Sequence, residues 1–212
     1  MNNKLLDIYT ILYDYFGPQH WWPGDTPFEV MVGAVLTQNT NWNNVSRAIA
    51  NLKEDNLLSL PALVELPIEA LAEKIRPAGY YNLKAGRLKN LLHCINDQFE
   101  GRVDDFLAQD AETLRRTLLE IKGIGPETAD SIVLYAAHKL TFVVDAYTHR
   151  ILFRHNLLAE EDGYYEIQEL FHSSLPAEVP LYNEYHALLV RLGKEFCKKT
   201  KPRCTSCPLE GI

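Results

Sequence analysis

Residues 118–150 read LLEIKGIGPETADSIVLYAAHKLTFVVDAYTHR, and the corner Gly123-Ile124-Gly125-Pro126 within them leaves the backbone few options. An apolar turn of Leu118, Leu119 and Ile121 runs into the corner, and Pro126 restarts the chain at the helical position that needs no amide hydrogen. Ala129, Ile132, Val133, Ala136 and Ala137 then recur at helical spacing, which predicts two helices joined by a tight hairpin. The second helix would point its free amide hydrogens and the positive end of its dipole outward, a geometry that suits a phosphate. An ordinary helical turn fits a lone GxG as well. Beyond the hairpin, Val143 and Val144 deliver Asp145 to the start of another helix, where an aspartate makes a good N-cap.

The rest of the chain reads as helix after helix. Leu5, Ile8, Ile11, Leu12, Tyr15 and Phe16 form a stripe that ends at Gly17-Pro18, and residues 28–38 form a buried run. Residues 39–44 read as a polar turn interrupted by Trp42. Shorter helices at 45–52, 60–64 and 68–75 are punctuated by Pro61, Pro67 and Pro77, and a long amphipathic helix spans 83–99. Residues 110–121 lead into the hairpin. No strand alternation or internal repeat is present, so the expected class is all-α. With 212 residues, 47% hydrophobic, the chain can bury a substantial core in one domain or two small ones. The opening MNNKLLDIYTILYDYF suits neither a signal peptide nor a membrane span, which gives a cytoplasmic expectation.

A formal net charge of −7 argues against a nucleic-acid binder if charge is averaged over the chain. Its distribution is uneven. Arg191, Lys194, Lys198, Lys199, Lys201 and Arg203 stand against Glu195 alone, and Lys84, Arg87 and Lys89 make a second basic group that also reads as a solvated helix face. Of the four cysteines, Cys94 lies in an amphipathic helix and reads as a small buried apolar residue. Cys197, Cys204 and Cys207 are clustered in a Lys- and Pro-containing loop, the pattern of metal ligands rather than of a disulfide; zinc would be left with an open position. Trp21 and Trp22 occupy a loop that ends in Pro23-Gly24. One of them fits the core and the other a cleft.

The GIG hairpin, the helix after it and VVDAYTHR resemble the helix-hairpin-helix DNA glycosylases of the endonuclease III superfamily. LTQNT at 36–40, GYYNLKA at 79–85 and the terminal cysteines follow in that family's order, so the resemblance covers about residues 28–207. It implies two helical domains flanking a cleft: a continuous six-helix domain at 24–139 carrying the hairpin, and a second domain built from 1–23 and 140–212. It implies a monomer acting on double-stranded DNA with damaged bases. Asp145, at the mouth of the cleft, falls at the position of the catalytic aspartate. Gly123, Ile124 and Gly125 would grip the DNA backbone, Gln38 would fill the space left by an extruded base, and Tyr80 would act as a wedge. Trp21, Trp22 and Trp42 would line the base pocket, with Trp42 and one of the other two sandwiching the base. The family's C-x6-C-x2-C-x5-C run holds a 4Fe-4S cluster; Cys197, Cys204 and Cys207 match its first three ligands, and the fourth is expected at position 213, one beyond Ile212.

Two departures bear on the chemistry. Glu127 stands where bifunctional relatives carry a lysine nucleophile, and a glutamate cannot form the Schiff base that couples base excision to strand cleavage. Ala34 stands where adenine-mismatch glycosylases carry a general-acid glutamate. The nearest pattern is the 3-methyladenine DNA glycosylase branch, which shares the tryptophan-rich loop, LTQNT and the glutamate after GIG, and which can lack the cluster. The reading is therefore a monofunctional glycosylase for alkylated purines. A bifunctional enzyme for oxidised pyrimidines using Lys122 and a non-catalytic DNA-binding module are the alternatives.

Overall fold

A computed structural model describes residues 4–212, and every regular element among them is helical, so the fold is all-α. The chain divides into two compact units: Trp22–Lys139, called here the middle unit, and Met1–Trp21 with Leu140–Ile212, the terminal unit. The division falls between Trp21 and Trp22, two residues before the boundary the resemblance implies. The adjacent tryptophans thus belong to different units.

The middle unit is built around α2 (Pro27–Thr37), whose residues from Glu29 to Leu36 are all buried. A helix apolar on every face must be surrounded. Around it pack α3 (Trp42–Glu54), the long α6 (Tyr81–Phe99) and the hairpin's second helix, α9 (Pro126–Ser131). The shorter α4 (Leu60–Glu65), α5 (Ile68–Lys74), α7 (Val103–Ala108) and α8 (Ala111–Glu120) complete eight α-helices against the six that the resemblance implies. Four of the eight have only six or seven residues, three of them with a proline at or before their first turn.

Three expectations change here. Trp42 does not interrupt a polar turn but opens α3, because the Asn41 side chain accepts from the Asn44 amide at 3.1 Å and caps the helix at that point. The hairpin's second helix is not a plain amphipathic run: after Ser131 it continues as a π-helical turn, Ile132–Ala136, buried throughout. Lys84 and Lys89 are not a solvated basic face. They are 1% and 9% exposed. The Lys84 Nζ donates to the Leu36 carbonyl at 2.8 Å and the Ala78 carbonyl at 2.7 Å, and the Lys89 Nζ donates to those of Leu63 and Val64, both at 2.7 Å. Burial, with Arg87 adding to it, holds the Lys84 pKa down to about 8, and burial lowers that of Lys89.

In the terminal unit, α1 (Lys4–Phe16), α10 (Ala146–Arg154), α11 (Tyr164–Ser174) and α12 (Val179–Glu195) enclose an aromatic core. Phe142 and Phe171 stack at 3.7 Å, and the rings of Tyr182 and Tyr185 meet Phe142 edge-on. The Tyr185 hydroxyl, fully buried, donates to the Leu5 carbonyl at 2.8 Å and so fastens α1 to α12.

The two helices of the hairpin are clamped by an ion pair. The Arg115 guanidinium on α8 donates from Nε to Asp130 Oδ1 at 2.6 Å and from Nη2 to Oδ2 at 3.1 Å, and the Asp130 side chain on α9 is wholly buried. Removing the cation leaves a buried carboxylate uncompensated. Arg115→Met is therefore expected to lower stability by about 3 kcal/mol, measured by denaturant unfolding; a loss below about 1 kcal/mol would show the pair to be no clamp.

Candidate functional site

The hairpin in the middle unit is shaped by two glycines with different reasons to be glycine. Gly123 has φ of +98°, and a Cβ there would lie 2.4 Å from Cγ of Arg87, so both its backbone and its contact with the Arg87 stem require the bare residue. Gly125 has φ of −100°, open to any residue, and a Cβ there would meet nothing within 4 Å. The fold does not need this glycine; a partner approaching the backbone from outside would. Gly125 is also the N-cap of α9 and supplies no side chain to its first turn, while Ile124 between the glycines is buried and anchors the corner. Glu127 is exposed in that first turn, and Lys122 is exposed just before Gly123.

Gln38 closes α2 and is tied to the hairpin. Its Nε2 donates to the Gly123 carbonyl at 3.1 Å and to Thr128 Oγ1 at 2.9 Å, while its Oε1 accepts from Arg87 Nη1 at 2.5 Å. Tyr80 stands out: it is 72% exposed, at φ +46°, directly after Gly79 at φ +68°. Two successive left-handed residues, one a tyrosine, are costly and hold an aromatic ring in solvent.

Of the two pairings expected for a sandwich, Trp42 with Trp21 or with Trp22, the second has a different geometry. Trp22 and Trp42 meet edge-on, centroids 5.3 Å apart at 87°, and Trp22 also packs on Tyr135 of the π turn at 5.3 Å. Two rings in that contact leave no slot between them for a base. The cluster is seated over Gly33, where a Cβ would come within 3.2 Å of the Trp22 indole nitrogen. Trp21 lies in the terminal unit, with the Lys194 ammonium over its ring at 5.8 Å.

Asp145, also in the terminal unit, is the N-cap of α10. Its Oδ1 accepts from the Thr148 amide at 2.7 Å and from the Thr148 hydroxyl at 2.9 Å. Its Oδ2 lies 3.5 Å from Nε2 of His186, a buried residue of α12. Burial alone would push the carboxyl up, but His186 and the Thr148 donors outweigh it and hold the pKa below the usual carboxylate value. The sign follows directly: Asp145 is ionised at neutral pH and loses its charge only as pH falls through that depressed value. Lys194 stands on the same helix, its pKa lowered by burial and raised in part by Asp145. His186 and Gly193 were not singled out from sequence. Gly193 interrupts α12 where a Cβ would lie 2.2 Å from the Tyr147 ring, so it lets α10, and Asp145 with it, sit close against α12. A lone glycine inside a long amphipathic run was the available signal.

Cys197, Cys204 and Cys207 line one cavity of about 280 Å³. Two arginines of α10 hold its wall: Arg150 Nε donates to the Cys197 carbonyl at 2.8 Å, and Arg154 Nη1 approaches the Cys197 sulfur at 3.3 Å. Among the described residues no three His, Cys, Asp or Glu side chains are gathered tightly enough to hold a single ion. A four-iron cluster takes one thiolate per iron, so its ligands surround it, as thiols around a cavity do. Cys94 sits apart on α6, its thiol pushed up by burial.

Comparison with known proteins adds four findings. Residues 32–177 match the model of the HhH-GPD superfamily base excision DNA repair proteins. A Methanocaldococcus jannaschii protein inferred to be a DNA repair glycosylase is 49% identical over 205 residues, covering 96% of this chain and 92% of that one. Among solved structures, the H. pylori 3-methyladenine DNA glycosylase bound to 1,N6-ethenoadenine superposes with a TM-score of 0.77 at 31% identity, covering 90% of this chain and 97% of that one. An endonuclease III trapped as a covalent intermediate with DNA reaches 0.83 at 22% identity over 99% and 94%, a likeness of fold.

The two hairpin glycines should respond differently to a methyl group. Gly123→Ala is expected to cost about 1–3 kcal/mol of stability through backbone strain and displacement of Arg87. Gly125→Ala is expected to stay within about 0.5 kcal/mol. Equal losses on thermal unfolding would mean that both glycines serve the fold.

Proposed function

The chain belongs to the HhH-GPD superfamily of base excision DNA repair proteins as a DNA glycosylase, and within it we propose a monofunctional enzyme that releases N-alkylated purines. The observation that carries the reading is Asp145: an ionised carboxylate kept charged in a buried setting by His186 and Thr148.

In the proposed reaction the bond from C1′ of the sugar to the base nitrogen breaks, and its electron pair leaves with the base. A purine methylated at a ring nitrogen carries positive charge, so that pair neutralises it and no acid is needed. Ala34 is then no handicap. The positive charge passes to the sugar, where the Asp145 carboxylate would stabilise it and orient a water molecule. Water adds to C1′, a proton is released, and an abasic site remains. A cationic base also favours an indole face by about 0.5–2 kcal/mol. Trp22 and Trp42 meet edge-on, so the proposal gives the base one face rather than a sandwich, with Trp21 as a further candidate. The similarity to the H. pylori enzyme supports the same substrate class.

The hairpin backbone at Gly123, Ile124 and Gly125 would take a DNA phosphate, with the dipole of α9 behind it. Tyr80 would enter the duplex as a wedge. Gln38 would enter only by exchanging its bonds to Arg87, Gly123 and Thr128 for bonds to the base left unpaired. Cys197, Cys204 and Cys207 are proposed as three of the four thiolates of a 4Fe-4S cluster. Such a cluster would cross-link the loop that carries Lys198, Lys199, Lys201 and Arg203 and present it to phosphates.

Asp145→Asn keeps an oxygen to cap α10 but removes the charge. It is expected to slow base release by about a hundredfold or more while DNA affinity and melting temperature hold; near-normal turnover would remove Asp145 from the chemistry.

The substrate and the absence of lyase activity are tested together. Duplexes carrying a panel of lesions are incubated with the protein, and freed bases and strand breaks are measured separately. Release of 3-methyladenine without breaks until alkali is added is the expected result. Release of thymine glycol with breaks, and trapping of the protein on DNA by borohydride, would favour the bifunctional reading with Lys122 as the amine.

A further inference from the structure

Two segments of the middle unit carry the side chains proposed to enter DNA, and one buried ammonium fastens both. Leu36, whose carbonyl accepts from Lys84 at 2.8 Å, lies two residues before Gln38 at the end of α2. Ala78, whose carbonyl accepts at 2.7 Å, lies two residues before Tyr80 at the end of the 3-10 turn Arg76–Ala78. Each carbonyl lies at the end of its element, where acceptors have no partner within the element. Within three residues of each the backbone takes a positive φ: Asn39 at +54°, and Gly79 and Tyr80 at +68° and +46°. The tie is thus made just before each of these turns. One turn further along α6, on the same face, Arg87 holds the Gln38 side chain.

We infer that Lys84 is a positioning residue that sets the spacing between the Gln38 and Tyr80 segments, and through it the depth to which the two side chains enter a duplex together. The inference rests on the proposed roles of Gln38 and Tyr80. Lys84 is 1% exposed, too buried to meet a duplex itself, and acts through the two carbonyls. A lysine reaches this work because its arm can cross the core and end in three donors. An apolar side chain of the same length would fill the volume and leave both segments untied.

Lys84→Met, Gln38→Ala/Tyr80→Ala and the triple variant test it. Three quantities are read in full-length protein: single-turnover base release from lesion DNA, affinity for undamaged duplex, and fluorescence of 2-aminopurine placed opposite the lesion as a report of insertion. Lys84→Met is expected to lower the release rate roughly tenfold or more and to reduce the fluorescence change, with affinity for undamaged duplex within about twofold. In the Gln38→Ala/Tyr80→Ala background the same change is expected to alter release by less than about twofold, since coupled residues do not add. Lys84→Gln, which keeps two donors on a shorter neutral arm, should fall between wild type and Lys84→Met, and it serves in place of the methionine variant if that one melts below the assay temperature. Multiplicative losses, or a fluorescence change left at wild-type size, overturn the positioning role. Wild-type release and fluorescence from Gln38→Ala/Tyr80→Ala would instead sink the insertion roles themselves, and the inference with them.

Discussion

Every helix ends in carbonyls that its own hydrogen bonds cannot reach, and a protein with a dozen α-helices among its described residues has many such ends to satisfy inside a packed core. The middle unit solves this with α6. Its apolar stripe, Leu88, Leu91, Leu92 and Ile95, packs against the surrounding helices. From the same helix Lys84 collects carbonyls at the ends of α2 and the 3-10 turn, and Lys89 collects two at the end of α4. Burying an ammonium costs several kcal/mol unless its donors are satisfied, and the lowered pKa values record that cost. The arrangement ties three chain reversals to one rigid rod.

The chemistry is built on comparably stiff supports. Asp145 is set by the start of α10, and α10 is set by the close contact of Tyr147 with Gly193. A carboxylate that caps a helix cannot rotate freely, and His186 and the Thr148 donors together hold this one's pKa down. The capping role and the proposed catalytic role therefore need not compete. Position is supplied by the amide and hydroxyl of Thr148 on Oδ1, while Oδ2 faces His186. In the hairpin the same economy appears: Gly123 is spent on the fold, leaving Gly125 as the residue whose smallness faces outward.

Much of this was legible in the sequence because it was local. The hairpin, its proline restart and the aspartate before a helix are fixed by residues within a few positions of one another, and helix capping and turn chemistry act over that range. What was not legible depends on distant partners. Lys84 and Lys89 look like a solvated face until carbonyls 48 and 26 residues away are brought to them. His186 is one histidine among seven until α12 sets it beside Asp145. The edge-on meeting of Trp22 and Trp42 and the π turn that brings Tyr135 to Trp22 are likewise products of packing. Trp42 misled for a different reason: the polar residues around it suggested a turn, whereas Asn41 was acting as a cap.

The bond from Tyr185 to Leu5 joins residues 180 apart, and it has a consequence for how the protein is made. On a ribosome adding about 5–20 residues per second, α1 emerges before α12 and waits roughly ten to forty seconds for it. During that interval the whole middle unit is synthesised and can close on its own core, while Leu5, Ile8 and Leu12 have no lasting cover. The terminal unit can form only once α12 has been made, so Asp145, the residue proposed to be catalytic, gains its histidine after the middle unit has had time to close.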